Sequence, residues 1–449
     1  MYLAAIDLTV FATKTAQFIL SFSIIVILHE LGHFIPARLF GARVEKFYLF
    51  FNPGFSLWKK KIGETEYGLG WIPFGGYVKI SGMIDESMDK EQLNKSPESY
   101  ELRSKPAYQR LIVMLGGVIV NMILAIVIFI GIAWYWGDDF LPAKNLTYGV
   151  HATELSKNMG IQDGDIIVSL DNKELTDFFA IESKLVLDDP KTIQVKRGDS
   201  LLSLSIPTSL SAALSSAENE TAFVLPLFPV IVDSVGKSVV LVEGNFQKND
   251  TLISMNGQSI QYQHEFIEVK KKFSDSLVTV LAKRGSDTVK IRTLINNKAQ
   301  LGLFVKLPLQ LFKTVHQEYS FIEAIPKGTQ RCFTTLDNYV TGIKQIFTGK
   351  VNPNDSLGSL ISIGNTFPSQ WDWERFWTLT AVFSIVLGFM NVLPIPALDG
   401  GHALFIIIEM ITGRKPSDKF MEYAQIVGMV LMFGLMLYAL GLDFWRLFK

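Results

Sequence analysis

Residues 21–37, SFSIIVILHELGHFIPA, decide the reading of this chain. Most of the stretch is apolar enough for lipid, yet it carries His29, Glu30 and His33 in the pattern H-E-x-x-H. Ionisable groups at membrane depth are costly, so three of them within one helical turn need a purpose. The spacing supplies one. On a helix, His29 and His33 stand one turn apart on one face, about 6 Å along the axis, so both imidazoles can reach one Zn²⁺. Glu30 lies beside that face, where it can take a proton from a water at the metal. Two core histidines hydrogen-bonded to backbone are the plainer alternative, and they leave Glu30 without a role.

Working outward, the chain has 449 residues, 49% hydrophobic, with a net charge of −1. It is long enough for several domains, and its charge gives no bulk pull toward nucleic acid. Residues 16–36, 111–136, 376–396 and 423–442 are apolar runs, each near the ~20 residues that a membrane span needs. The first lacks a basic leader and a small-residue cleavage site, so it is expected to stay as a span. Cys332 is the sole cysteine, which excludes an internal disulfide and a thiolate zinc site. Arg38, Arg43 and Lys46 follow the first run, Arg103, Lys105 and Arg110 precede the second, and Arg414, Lys415 and Lys419 lie between the last two. Those loops are expected on the cytoplasmic side. The termini and the long middle region then lie outside, with His29 and His33 at the cytoplasmic end of their span.

Between the first two runs, residues 44–82 read as β structure punctuated by glycines, and 68–82 (GLGWIPFGGYVKISG) as a hairpin dipping toward the membrane. Residues 85–100 are polar and expected as a solvated surface segment. The middle region repeats weakly: GIQDGDIIVSLDNKEL at 160–175 and KNDTLISMNGQSI at 248–260 each join an acidic turn to a short alternating strand and a second turn. Both resemble the strand-turn signature of PDZ domains, which bind extended peptides by adding a strand to a sheet edge. Residues 321–347 have helical spacing, as a connecting or amphipathic helix.

A catalytic zinc needs three protein ligands and an open position. Asn391 to His402, NVLPIPALDGGH, ends the third run. Pro394 and Pro396 forbid a regular helix there, and the freed backbone groups need partners or substrate. Asp399 beside two glycines is the expected third ligand, with His402 as the alternative.

Taken together, HELGH in the first span, NVLPIPALDGG after the third and the paired PDZ-like modules between them resemble the bacterial branch of the site-2 protease family, over nearly the whole chain. The resemblance implies zinc bound by His29, His33 and Asp399, with Glu30 activating water. It implies that Asn391, Pro394 and Pro396 hold substrate backbone, and that Gly76, Tyr77, Val78 and Lys79 lie on a reentrant β element that pairs with an extended substrate. Gly117 and Asn121 resemble the family's GPxxN motif, with Asn121 expected at the substrate, although Val118 replaces its proline and Met122 stands where phenylalanine is common.

The expected architecture is a polytopic α-helical membrane protein with four transmembrane helices, a membrane-associated β-hairpin region and two extracytoplasmic PDZ-like α/β domains. Residues 1–40 form the first helix and 41–106 the cytoplasmic-side β region. The second helix is 107–137, the modules are 145–222 and 223–308, and 309–372 connects back to the membrane. The third helix is 373–402, a cytoplasmic loop is 403–420, and 421–449 is the last helix and C-terminus. The implied location is the bacterial inner membrane, with the modules periplasmic. Expected partners are transmembrane protein substrates and membrane lipid, with a peptide ligand of the PDZ-like modules as a further candidate. Implied substrates are anti-sigma-factor-like proteins after a first cut, and remnant signal peptides. The rival reading is a non-catalytic membrane scaffold with a closed, structural zinc site, for which His402 would serve as fourth ligand.

Overall fold

The computed structural model describes residues 8–83, 97–215, 222–236, 239–356 and 358–448. The expected surface segment 85–100 lies mostly outside them. The chain divides into two compact units: Met1–Gly137 with Glu318–Lys344 and Leu357–Lys449, and Asp138–Gln317 with Gln345–Ser356.

In the first unit, four helices are long and apolar enough to cross a membrane: Leu8–Leu39, Ala107–Tyr135, Trp373–Val392 and Lys419–Arg446. They coincide with the four expected runs, except that the third ends at Val392 and not at 396. The first and second touch backbone to backbone, since a Cβ on Gly32 would fall 2.4 Å from the Gly116 carbonyl oxygen. Small residues allow such close approach where lipid supplies no hydrophobic drive. Polar side chains tie the third span in: Thr380 donates to Ser21 at 2.9 Å, and Ser384 to the Asn121 carbonyl at 2.8 Å. The helix Phe321–Phe347 forms as its periodicity predicts. It packs on the second span, where a Cβ on Gly328 would fall 2.4 Å from the Ile130 nitrogen. Near the end of the fourth span, buried Asp443 accepts from Ser359 N–H at 3.0 Å and Ser362 Oγ at 2.6 Å.

Two expectations for this unit are corrected. Residues 399–412, assigned partly to the third span and partly to a cytoplasmic loop, form a separate helix, Asp399–Thr412, closed by left-handed Gly413. The prolines break the third span, and the apolar run LFIIIEMI restarts a helix beyond them; at about 1.5 Å rise per residue it is too short to cross a bilayer. Arg110 fastens it to the second span through a two-pronged pair with Glu409, at 3.0 and 2.5 Å.

Nor is 68–82 a hairpin. Strands β1 (Val44–Phe51), β2 (Trp58–Ile62), β3 (Thr65–Leu69) and β4 (Ile72–Ile80) form a sheet in the order β2-β3-β1-β4. β1 lies between β3 and β4, parallel to β3 and antiparallel to β4. The chain crosses the end of β1 at Gly70, whose N–H donates to Leu49 at 2.8 Å. A Cβ on Gly70 would fall 2.2 Å from the Phe51 carbonyl oxygen, so only glycine permits the crossing. The true hairpin is β2–β3, turning at left-handed Gly63.

The second unit contains a duplicated fold with two separate cores. In the first copy the sheet order is 200–205, 192–197, 166–170, 173–174, and in the second 287–294, 277–284, 251–255, 258–259, with 240–243 added outside 287–294. Each copy has a helix at the same place, Ile181–Leu187 and Gln263–Lys272. Each closes by pairing its first strand with its last: Val150–Ala152 with Val224–Pro226, and Val232–Val235 with Leu303–Val305. The expected boundary at 222/223 is therefore too early, because Phe223 and Val224 fill the first core.

The two copies also share a buried ion pair. Arg197 grips Asp165 through Nε at 2.8 Å and Nη2 at 2.7 Å, and donates to the Gly160 carbonyl at 2.7 Å. Arg284 grips Asp250 at the same two distances, 2.8 and 2.7 Å, and donates to the Asn245 carbonyl at 2.7 Å. Both carboxylates are fully buried.

Candidate metal centre

His29 and His33 are buried on the first spanning helix. Their rings meet edge to face, centroids 4.9 Å apart. Gly117 of the second span makes room for them: a Cβ there would fall 2.4 Å from His33 Nε2 and 2.5 Å from His29 Cε1. The glycine pair 116–117 therefore serves both the helix crossing and the imidazoles.

Asp399 reaches the same point from the broken third span. After Val392 the chain turns through Pro394 and Pro396, with Leu398 N–H donating to the Ile395 carbonyl at 3.0 Å and Ala397 held at φ +90°. Gly400 and Gly401 lie against this turn; Cβ atoms there would fall 2.2 Å from the Val392 oxygen and 2.4 Å from the Ile395 oxygen. Asp399 is thus the first residue of its helix, where the free N–H groups and the dipole favour a carboxylate.

The three side chains form a nearly equilateral triangle. Asp399 Oδ2 is 3.3 Å from His29 Nε2 and 3.3 Å from His33 Nε2, and the two nitrogens are 3.3 Å apart. Tetrahedral ligands at about 2.0–2.1 Å from one ion stand about 3.3–3.4 Å from each other. Proton placement agrees. His33 Nδ1 is 2.8 Å from the Val113 carbonyl, which only accepts, so Nδ1 carries a proton and the neutral imidazole has its lone pair on Nε2, the atom facing Asp399. Asp399 Oδ2 is buried without a hydrogen-bond partner. A carboxylate oxygen facing imidazole lone pairs with no proton between them is unfavourable unless a cation is shared. The donor set fits zinc. Among the described residues, no fourth His, Cys, Asp or Glu joins the cluster.

His402 lies outside this triangle and lines a separate cavity with Arg103, Arg110, Phe405 and Glu409. Asn391 Nδ2 is 3.2 Å from His29 Nε2, at the rim. Asn121, expected at the substrate, is fully buried with its amide 3.2 Å from His29 Nδ1. Pro394 is exposed, while the carbonyl of Pro396 meets the fourth span at Gly428.

β4 lies along the first helix at the motif: a Cβ on Gly76 would fall 2.8 Å from Val26 Cγ1 and 3.6 Å from Glu30 Cγ. β4 is the outer strand, and its far edge has no strand partner among the described residues. Tyr77 stacks on Tyr48 at 5.3 Å and donates to Asn52 at 3.0 Å. Val78 packs against the cluster around Val44 and Ile80, and Lys79 is 3.6 Å from Glu45. These side chains serve the sheet, so the strand offers its backbone edge.

The profile of peptidase family M50 matches residues 17–435. The chain belongs to peptidase family M50. The site-2 protease resemblance and the enzyme class, a zinc metalloprotease, follow with it. Relatives align over nearly their full length. The regulator of sigma-E protease RseP of Escherichia coli is 28% identical over 461 residues, 97% of this chain and 99% of that protein. The regulator of sigma E protease of Haemophilus influenzae is 26% identical over 457 residues, 97% and 100%. A candidate zinc metalloprotease of Vibrio cholerae is 27% identical over 455 residues, 96% and 98%. With its four apolar helices, the M50 chain fits a bacterial inner-membrane protein.

Proposed function

We propose that this M50 peptidase cleaves single-span membrane proteins within the bilayer, with His29, His33 and Asp399 holding zinc and Glu30 as the base. The 3.3 Å triangle of His29 Nε2, His33 Nε2 and Asp399 Oδ2 carries the reading. Three ligands make an open catalytic site, whereas the structural-zinc alternative needs a fourth, and His402 stands elsewhere.

Zinc, when bound, supplies Lewis acidity toward a scissile carbonyl and an attacking water. The chain's residues do the rest. Glu30 takes the proton of the water and returns it to the leaving nitrogen. A membrane helix shields its own peptide bonds, so the substrate unwinds locally and its backbone pairs with the free edge of β4, replacing the lost helical hydrogen bonds. Asn391 Nδ2 and the backbone around Pro394 and Pro396 hold substrate carbonyl groups. Asn121 and Gly117 keep the His29 imidazole in place.

The duplicated second unit, read as two PDZ-like domains on its matching strand order and matching Asp–Arg pairs, acts as a size gate on the periplasmic side. It excludes substrates whose external domain is intact. Anti-sigma-factor-like proteins after a first cut and remnant signal peptides are the substrate classes, and the metal lies toward the cytoplasmic side.

Purified Glu30→Gln protein tests the base. Its zinc content should equal wild type while cleavage of a single-span substrate is lost; cleavage at the wild-type rate removes Glu30 from the mechanism.

A further inference from the structure

A second convergence of metal-ligating groups lies in the other unit, at the seam between the two copies. His151 sits in the first strand of copy one, Val150–Ala152, and Asp163 in the turn that pairs back with it. His264 opens the helix Gln263–Lys272 of copy two. His151 Nδ1 lies 3.0 Å from Asp163 Oδ1 and 3.1 Å from Oδ2. The two imidazoles face each other at 3.9 Å, 16° from parallel. One ligand atom from each of the three residues lies within 4.8 Å of the other two.

Each group is held by its surroundings. Asp163 Oδ1 accepts from the Ala152 N–H at 2.7 Å. The start of the His264 helix is fixed by Gln263 N–H donating to the Phe228 carbonyl at 3.0 Å, and by Glu265 accepting from the Gln261 and Tyr262 N–H groups at 2.6 and 3.0 Å. The Tyr262 ring lies 6.2 Å from His264. The charged groups facing the cluster are Lys157 near Asp163, and Glu265 and Glu268 near His264. With Asp163 they leave an excess of negative charge around the two imidazoles. The cluster is partly exposed, so water can complete a coordination shell.

We propose that His151, Asp163 and His264 form a second metal site, which takes Zn²⁺ and staples copy one of the duplicated unit to copy two. Two imidazoles and a carboxylate suit zinc among the divalent ions. Binding releases the proton between His151 and Asp163 to solvent, turns one imidazole out of the stack so that both lone pairs face the ion, and fixes the angle between the copies. The inference is independent of the catalytic reading, because its residues are remote in sequence from the H-E-x-x-H motif and its test uses a chain in which that motif is disabled.

The test is metal content of the full-length protein in detergent carrying His29→Ala and His33→Ala, equilibrated with buffered Zn²⁺ and washed. About one equivalent of zinc per chain should remain. Adding His264→Ala or, separately, Asp163→Asn should weaken binding at least about tenfold. Co²⁺ added to the His29→Ala, His33→Ala chain should give visible absorption bands that His264→Ala abolishes, and far-ultraviolet circular dichroism checks that each variant is folded. Zinc-free protein in the His29→Ala, His33→Ala background overturns the proposal, as does zinc binding undiminished by either added substitution in folded protein.

Discussion

The Asn121 amide lies 3.2 Å from His29 Nδ1, the imidazole nitrogen not turned toward Asp399. If Nε2 is to hold a metal, Nδ1 carries the proton and needs an acceptor. Asn121 Oδ1 is buried with no partner. Turning the amide so that Oδ1 accepts from His29 satisfies both atoms at once. Asn121→Leu should therefore weaken zinc binding about 10–100-fold, while Asn121→Asp, which keeps the acceptor, should bind zinc as well as wild type. Zinc competition against a chelator measures both. Equal affinity for the Leu variant would show that Asn121 does not orient His29.

Gly117 makes a sharper test of packing. A methyl group there would fall 2.4 Å from His33 Nε2 and 2.5 Å from His29 Cε1, so an imidazole must move to admit it. Gly117→Ala should displace an imidazole by about 1 Å and reduce cleavage about hundredfold or more, with zinc lost from the purified protein. Gly131, in the same helix, has nothing within 4 Å of the corresponding position. Gly131→Ala should leave zinc content and rate unchanged, which separates crowding from a general effect on the helix.

Gly76 divides substrate positioning from metal binding. A Cβ there would fall 2.8 Å from Val26 Cγ1 and 3.6 Å from Glu30 Cγ, so its missing side chain lets β4 lie against the first helix. Gly76→Ala should push the strand from the first helix and lower kcat/KM about tenfold to hundredfold with full zinc content. A variant with normal kcat/KM would count against β4 as the strand that receives substrate.

The paired arginines predict a pH dependence in the second unit. Burial pushes the Asp250 pKa up, but the Arg284 guanidinium and the Gln247 N–H more than offset it and hold the carboxyl below its usual value. The pair's contribution to stability is therefore complete above the unfolded-state pKa of about 3.9 and disappears as the pH falls below that, through the lower folded-state value. Arg284→Met, which leaves the buried carboxylate alone, should cost about 3–5 kcal/mol at neutral pH, and less at pH values where Asp250 is protonated in both states. Urea unfolding followed by fluorescence at both pH values measures the difference.

The membrane part was legible where the signal is local. Hydropathy marks a span over about 20 residues, and H-E-x-x-H needs one helical turn, so the spans and the placement of His29, Glu30 and His33 follow from short windows. Asp399 was reachable because Pro394 and Pro396 advertise a break and Gly400-Gly401 a close approach. The helix Asp399–Thr412 is hard to read for the same reason: the prolines signal an end, and the apolar residues after His402 are too few to stand out as a span of their own. The β4 register was opaque because β1 enters between β3 and β4 through contacts far apart in sequence. The contact of Asn121 with His29 is hidden in the sequence too, since the two lie on different helices. In the second unit, Asp165 and Asp250 were visible in the repeat, but Arg197 and Arg284, which make the copies equivalent, lie well downstream of it.

Each copy in the second unit has its first and last strands side by side, 150–152 with 224–226 and 232–235 with 303–305. A module whose ends meet can be inserted or excised as a cassette, because removing it leaves its neighbour's strands paired and only a short linker to rejoin. Copy number in this part of the chain is therefore open to evolutionary change, and a lineage could gain or shed a module while its membrane-embedded chemistry stayed as it was.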